Sequence, residues 1–308
     1  MADVKVSRLG IGFASPVVLA SGPAGFGIEL ASEIALARLG AVTTKTITLH
    51  PRRGNAQPRL VDCPAGALNS IGLENPGFDA FADSIQPRVA ELPVRRILSI
   101  AAASVSELHK LLRKVATLDA IDAIELNLSC PNLGGAVPGA DSDEVAAYTR
   151  AAASETDRPL LVKLPGDSGN LVQSCERALA QGARGLTLIN SVRGLRVDWA
   201  TGRPFLDHMY GGLSGSAILP IALARVFEVR SAFPDAVIVG TGGVNTLGGL
   251  LEMLMAGADL VGIGFGLMVD PALPQRLVEE LERWMDERGV AAVNDLVGAA
   301  QRGGFDVQ

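Results

Sequence analysis

The stretch AIELNLSCPNLGG, residues 123–135, sets a thiol, Cys130, between two carboxamides, Asn127 and Asn132, where an apolar run ends. Packing does not call for that arrangement. A carboxamide offers both donors and an acceptor, and a thiol is a titratable group of modest pKa, so the chemistry on offer is hydrogen bonding around a group that can exchange a proton. Other apolar runs end in the same manner. VVLAS (17–21) ends in Ser21 before Gly22, AVTTKT (41–46) carries Lys45, PLLVKL (159–164) carries Lys163, and GLTLIN (185–190) ends in Asn190 before Ser191. A lysine at one strand end is more often an exposed cap than a functional group. Two lysines, two asparagines and a thiol converging on one rim are different. Burying so many polar groups without partners costs several kcal/mol, so a polar ligand is expected among them.

Two glycine-rich ends say more about that ligand. GTGGV (240–244) and GIGFG (262–266) expose backbone N–H groups without side-chain obstruction. Tight turns also use glycine, but the loops after the last two strands of a barrel are its usual phosphate site. With two lysines nearby, they point to a phosphorylated, electron-accepting cofactor, and strand-end lysines suit an anionic reduced flavin.

The elements that must position these residues alternate along the chain. Besides the runs above, RILSIA (96–101), AIELNL (123–128), AVIVGT (236–241) and DLVGIG (259–264) read as strands, eight in all. SVSELHKLLRKVATL (104–118) has Leu108, Leu111, Leu112 and Val115 on one helical face behind a capping-box-like SVSE, and PQRLVEELERWMDERG (274–289) stops at a glycine. Strands that are apolar throughout and separated by helices make a parallel sheet covered on both faces; eight such units make a (β/α)8 TIM barrel. An open doubly wound sheet is the competing fold, but no G-x-G-x-x-G follows an early strand. VKVSRLGIGF (4–13) reads as a short N-terminal β-hairpin covering the barrel bottom, and 50–78 and 191–217 as long irregular, functional loops. With no linker, residues 1–308 form one domain.

Composition narrows the classes. The net charge of −6 leaves no basic surplus for phosphates, so nucleic acid is excluded as a partner. Cys63, Cys130 and Cys175 form no C-x-x-C pair, which speaks for a reducing cytoplasmic setting and against zinc or iron–sulfur ligation by this chain. Cys175 reads as buried helix packing, and Cys63 as a loop residue left unassigned. His50, His109 and His208 have no metal-ligand spacing, so no metal site is expected. No signal-peptide pattern and no run of ~18 apolar residues is present, and no membrane association is expected.

KTITLHPRRGN (45–55), NSIGLENPG (69–77), NLSCPN (127–132), LINS (188–191), GGLSG (211–215) and GTGGV (240–244) follow one another in the order of a known family. From LASGPAGFG (19–27) to the eighth strand, the chain resembles the class 1 dihydroorotate dehydrogenases, flavoproteins of de novo pyrimidine biosynthesis, and the class 1B catalytic subunit more than class 1A. The resemblance implies FMN held by Ala20, Ser21, Gly22, Lys45, Thr46, Ser99, Asn127, Lys163, Ile189, Gly215, Gly242, Gly243, Gly264 and Phe265. It implies dihydroorotate or orotate held by Lys45, Asn69, the backbone of Gly72 and Leu73, Asn127, Asn132, Asn190 and Ser191, with Cys130 as the catalytic base. A cysteine, at an unperturbed pKa of ~8.5, needs only a modest shift for that role. A homodimer is implied too. In class 1B a further subunit carrying FAD and an iron–sulfur cluster makes a heterotetramer that passes electrons to NAD; this chain has neither a cluster motif nor an NAD fingerprint. Departures from the class 1B pattern at Ser99, Ala102, Glu74, Ile189–Ser191, PGDS (165–168) and Phe265 bear on class and electron acceptor more than on the half-reaction. Two alternatives are a related FMN oxidoreductase acting on another dihydropyrimidine or cyclic amide, and a barrel that binds a phosphorylated ligand without redox chemistry.

Overall fold

The apolar runs become eight parallel strands closed into a barrel. The computed structural model describes residues 2–129, 137–166 and 169–304. The barrel strands are β1 (Val17–Leu19), β2 (Ala41–Thr43), β3 (Arg95–Ile100), β4 (Ala123–Asn127), β5 (Leu160–Lys163), β6 (Gly185–Leu188), β7 (Val237–Thr241) and β8 (Leu260–Ile263). Each pairs with its sequence neighbours, and β8 closes on β1. Most are buried along their whole length, between the barrel interior on one face and helices on the other. Several strands stop short of the apolar run that announced them. β1 ends at Leu19, β2 at Thr43 and β6 at Leu188. The polar residues that follow leave the ladder and turn onto the rim.

The outer helices form where periodicity places them. Val105–Val115 buries the four expected apolar residues, and the Ser104 hydroxyl accepts the Glu107 N–H at 3.1 Å. Glu107 itself accepts from the Ala103 N–H rather than from Ser104, so the box is displaced by one residue. Leu273–Arg288 ends at Gly289 with φ +68°, a left-handed conformation that glycine adopts without steric cost. The first unit departs from the regular pattern: between β1 and β2 the chain makes turns and one 3-10 turn, Leu36–Arg38, and no α-helix.

The N-terminal hairpin pairs Val6–Arg8 with Ile11–Phe13 and buries Val6 and Phe13. It sits at the strand N-termini, as expected. Asp259, just before β8, accepts from Arg8 Nε at 2.6 Å, from Arg230 Nη2 at 2.7 Å and from the Ile238 N–H at 2.9 Å. Arg95, at the start of β3, donates to the Gly12 carbonyl at 2.9 Å.

The segments 50–78 and 191–217 are not irregular. They build a four-stranded antiparallel sheet above the rim, in the order Val192–Leu195, Tyr210–Ser214, Gly66–Asn69, Leu60–Cys63. A smaller pair, Val197–Asp198 with Arg203–Pro204, flanks it. Gly212 pairs with Asn69 across a separation that no local pattern in the sequence reveals. Cys63 therefore lies on an edge strand rather than in a loop. Cys175 is fully buried within the helix Leu171–Ala180, and burial pushes its thiol up to about 12. Among the described residues no helix is long and apolar enough to cross a membrane, and no cluster of His, Cys, Asp or Glu could hold a metal ion.

Asp259 joins the hairpin to two barrel strands, and its removal takes the carboxylate partner from two guanidinium groups. Asp259→Ala is expected to lower unfolding stability by about 3 kcal/mol. Denaturant titration should show an earlier midpoint at unchanged slope.

Candidate active site

A cavity of about 490 Å³ opens at the C-terminal rim, within the ordinary size range of small-ligand sites. β1 contributes Ala20 and Ser21, β5 Lys163, and the exit of β6 Ile189, Asn190 and Ser191. β7 contributes Thr241 with Gly242 and Gly243, and the exit of β8 Gly264 and Phe265. Gly215 and its neighbours Ser214 and Ser216 come down from the protruding sheet.

The chemistry of this lining is uneven. Lys163 is only 6% exposed, and among the described residues its ammonium has no hydrogen-bond or ion-pair partner. A desolvated cation facing a cavity calls for an anionic or electron-rich ligand. Two strands away on the same rim, the Gly243 and Val244 N–H groups donate to no turn or ladder among the described residues. Gly243 has φ +82°, and a Cβ there would lie 2.6 Å from the Leu219 nitrogen. The cradle thus demands glycine for both conformation and space, and it leaves amide donors for phosphate oxygens. At the outer edge Arg276 donates to Asp270 at 2.5 Å and holds that carboxyl below the usual range. These features fit FMN: Lys163 and the β7–β8 glycine amides would hold it, and it would supply a two-electron acceptor.

Beneath the cavity lies a continuous hydrogen-bonded layer. Thr46 Oγ1 is 3.2 Å from Ser21 Oγ and 2.9 Å from Ser99 Oγ, and it accepts from Asn127 Nδ2 at 3.1 Å. Asn127 Oδ1 accepts from the Ser129 hydroxyl at 2.6 Å, and Asn190 Nδ2 donates to that hydroxyl at 2.5 Å. Ser99 is fully buried outside this cavity lining and hydrogen-bonds to Thr46 and Glu125. Thr46 and Asn127 are likewise buried outside the cavity lining; the half-buried Lys45 and the exposed Gly22 also lie outside it.

The substrate-side residues sit on the loops. Asn69 Nδ2 donates to the Gly212 carbonyl at 3.1 Å, and a Cβ on Gly212 would run into the Ser191 hydroxyl and come within 3.9 Å of Asn69 Nδ2. Gly212 thus brings Asn69 and Ser191 together. Gly72 and Leu73 both have positive φ, +76° and +55°. Left-handed conformation is strained for leucine, and Asn75 holds it. The Asn75 amide donates to the Leu73 carbonyl and to Thr48 Oγ1, each at 2.8 Å, while its carbonyl accepts from the Thr48 and Gly77 N–H groups. Cys130 and Asn132, the expected base and one expected substrate contact, lie outside the described residues, as do Asp167 and Ser168 of the 165–168 departure.

Sequence reasoning overlooked Asn75, Gly212, Ser129, Thr187 and Glu125. A signal existed for two of them. Asn75 opens an Asn-Pro-Gly turn, and Glu125 is a carboxylate in the middle of an apolar strand. Asn75→Ala is expected to cost about 2 kcal/mol, because it leaves buried donors and acceptors unpaired and frees Leu73 from its left-handed conformation. Hydrogen exchange should speed up at Thr48 and Gly77, whose N–H groups Asn75 accepts, while the barrel strands keep their protection.

A family model described as dihydroorotate dehydrogenase matches residues 3–285. The catalytic subunit of dihydroorotate dehydrogenase B (NAD(+)) from Desulforudis audaxviator is 38% identical over 301 residues, covering 97% of this chain and 98% of that protein. The like-named subunit from Geotalea uraniireducens is 37% identical, covering 96% and 98%. A putative dihydroorotate dehydrogenase A (fumarate) from Aquifex aeolicus is 36% identical, covering 97% and 99%. The crystal structure of DHODH from Eimeria tenella in complex with ferulenol shares the fold at a TM-score of 0.79 and 22% identity, covering 97% of this chain and 89% of that one. On a family match that spans nearly the whole barrel, and on relatives this similar end to end, the chain belongs to the dihydroorotate dehydrogenase family.

Proposed function

We propose that this chain oxidises dihydroorotate to orotate as an FMN-dependent catalytic subunit of pyrimidine biosynthesis. The observation that carries the proposal is the buried Lys163, unpaired among the described residues, in a rim cavity that also holds a glycine cradle whose amides donate to no turn or ladder among those residues. FMN would supply the hydride acceptor for C6 of the substrate. Lys163 and Lys45 would stabilise negative charge beside it. Asn69, Asn127, Asn132, Asn190 and Ser191 would match the amides and carboxylate of the ring, and the Gly72 and Leu73 amides would hold a carboxylate oxygen. Cys130 would take the proton from C5.

The class 1B names of most of the similar relatives support a partner subunit carrying FAD and an iron–sulfur cluster. The class A name at almost equal identity keeps fumarate in view as the electron acceptor. The expected homodimer finds support in exposed apolar side chains on the protruding sheet and its flanking pair, among them Leu195, Val197 and Tyr210, and above all Trp199 at 93% exposure.

Anaerobic titration of the FMN-loaded chain with dihydroorotate is expected to bleach the flavin absorbance, with a rate that rises with pH as a thiol ionises. NADH added to the isolated chain is expected to leave the flavin oxidised. Cys130→Ala is expected to keep FMN and to slow bleaching by on the order of 10²–10⁴, the usual contribution of a general base. Bleaching of Cys130→Ala at the wild-type rate would remove Cys130 from the mechanism. Gly243→Val is expected to purify without FMN, while Gly12→Ala, on the bottom hairpin with open space around it, keeps the cofactor.

A further inference from the structure

We infer that Glu125 is a positioning residue for the reaction proposed above: the terminal acceptor of an aligned hydrogen-bonded relay that it orients as far as Ser21 and reinforces as far as Asn190. The inference rests on that functional reading for its ligand, but its geometry stands apart from it. Glu125 is 3% exposed in the interior of β4. Its Oε1 accepts from Ser99 Oγ and its Oε2 from Thr187 Oγ1, both at 3.0 Å. No Lys or Arg among the described residues pairs with it.

The direction of every contact follows from donors and acceptors that allow no choice. The Ser129 N–H donates to Asn127 Oδ1 at 3.2 Å, so the Asn127 N–H2 is the group facing Thr46. The Ser191 N–H donates to Asn190 Oδ1 at 2.9 Å, so the Asn190 N–H2 faces the Ser129 hydroxyl. Ser129 therefore accepts from Asn190 and directs its one proton to Asn127. At the other end a carboxylate only accepts, so the Ser99 proton points at Glu125. Ser99 then cannot donate to Thr46. Thr46 donates to Ser99, and Ser21 donates to Thr46.

The relay runs Asn190, Ser129, Asn127, Thr46, Ser99, Glu125, with one proton per hydroxyl and no contact holding two donors. A chain of aligned hydrogen bonds of this kind is mutually reinforcing in a low-dielectric interior. Without Glu125, Ser99 is free to turn its proton to Thr46, and Thr46 to turn its own to Ser21. Ser21 and Asn190 both line the cavity. Glu125, which does not, thereby controls the direction of the Ser21 proton, and it strengthens rather than orients the Asn190 end, whose amide the Ser191 N–H fixes.

The test uses the full chain in two forms. In the FMN-loaded form, orotate is titrated while the flavin spectrum is followed. Glu125→Leu is expected to weaken orotate about tenfold, and Glu125→Gln, which keeps an acceptor oxygen, by less than about threefold. Thr187→Val removes the other hydroxyl on the same carboxylate but no link of the relay, and is also expected to stay within about threefold. In the flavin-free form, thermal unfolding of Glu125→Leu, Asn190→Ala and the double variant is expected to be non-additive, although the two side chains do not touch. Equal losses in Thr187→Val and Glu125→Leu, or strict additivity, overturn the relay. If Glu125→Leu does not fold, Ser99→Ala breaks the same link and takes its place in both measurements. A wild-type protein that binds FMN but gives no response to orotate refutes the substrate reading, and the unfolding cycle then decides the relay alone.

Discussion

Closure of eight parallel strands in unbroken register is the constraint on which the site depends. A parallel ladder sends every strand's C-terminal end to the same rim, and the two-residue side-chain period decides what faces inward there. The pairings Ser99 with Glu125, Asn127 with Lys163, and Lys163 with Thr187 set these polar side chains side by side inside the barrel. A slip of one residue in any of those strands would send its polar residue out among the helices and an apolar one in. The interior beneath and the helix-facing sides stay apolar, so the polar layer has a single register in which it can form.

Burial makes that layer demanding. Hydroxyls, amides and a carboxylate in a low-dielectric interior are tolerable when each has a partner, and here the hydrogen bonds connect them into one network across β3, β4, β6 and the exits of β1, β2, β4 and β6. Lys163 stands at the top of the layer without a partner among the described residues, and it lines the cavity. The network supplies rigidity and the unmatched cation supplies affinity, a division common to binding sites built on stiff elements. The protruding sheet adds the lateral wall, and its glycines permit the close approach that brings Asn69 to Ser191.

What could be read along the chain was what local pattern encodes. Strands buried on both faces are apolar at nearly every position, so all eight were visible, as were the two helices with clear caps and stripes. Strand ends were overestimated because apolar continuity runs past the last ladder bond at Leu19, Thr43 and Leu188. The missing helix after β1 left no gap in composition, since residues 20–40 are as apolar as a helix would be. Glu125 was in plain sight within AIELNL, but a lone carboxylate in a strand acquires meaning only from the Ser99 and Thr187 hydroxyls that meet it from two other strands.

By itself the sequence determined the barrel, the rim residues and the family, because periodicity, strand-end polarity and contiguous motifs such as NSIGL and NLSCPN are properties of neighbouring residues. Only the tertiary structure decided that Gly66–Asn69 pairs with Tyr210–Ser214, that Ser99 and Thr46 are buried outside the cavity lining, and that Asn75 holds Leu73 left-handed. Those outcomes depend on contacts between groups far apart in the chain. Their energies come from burial and hydrogen-bond satisfaction, and no local window of sequence contains both partners.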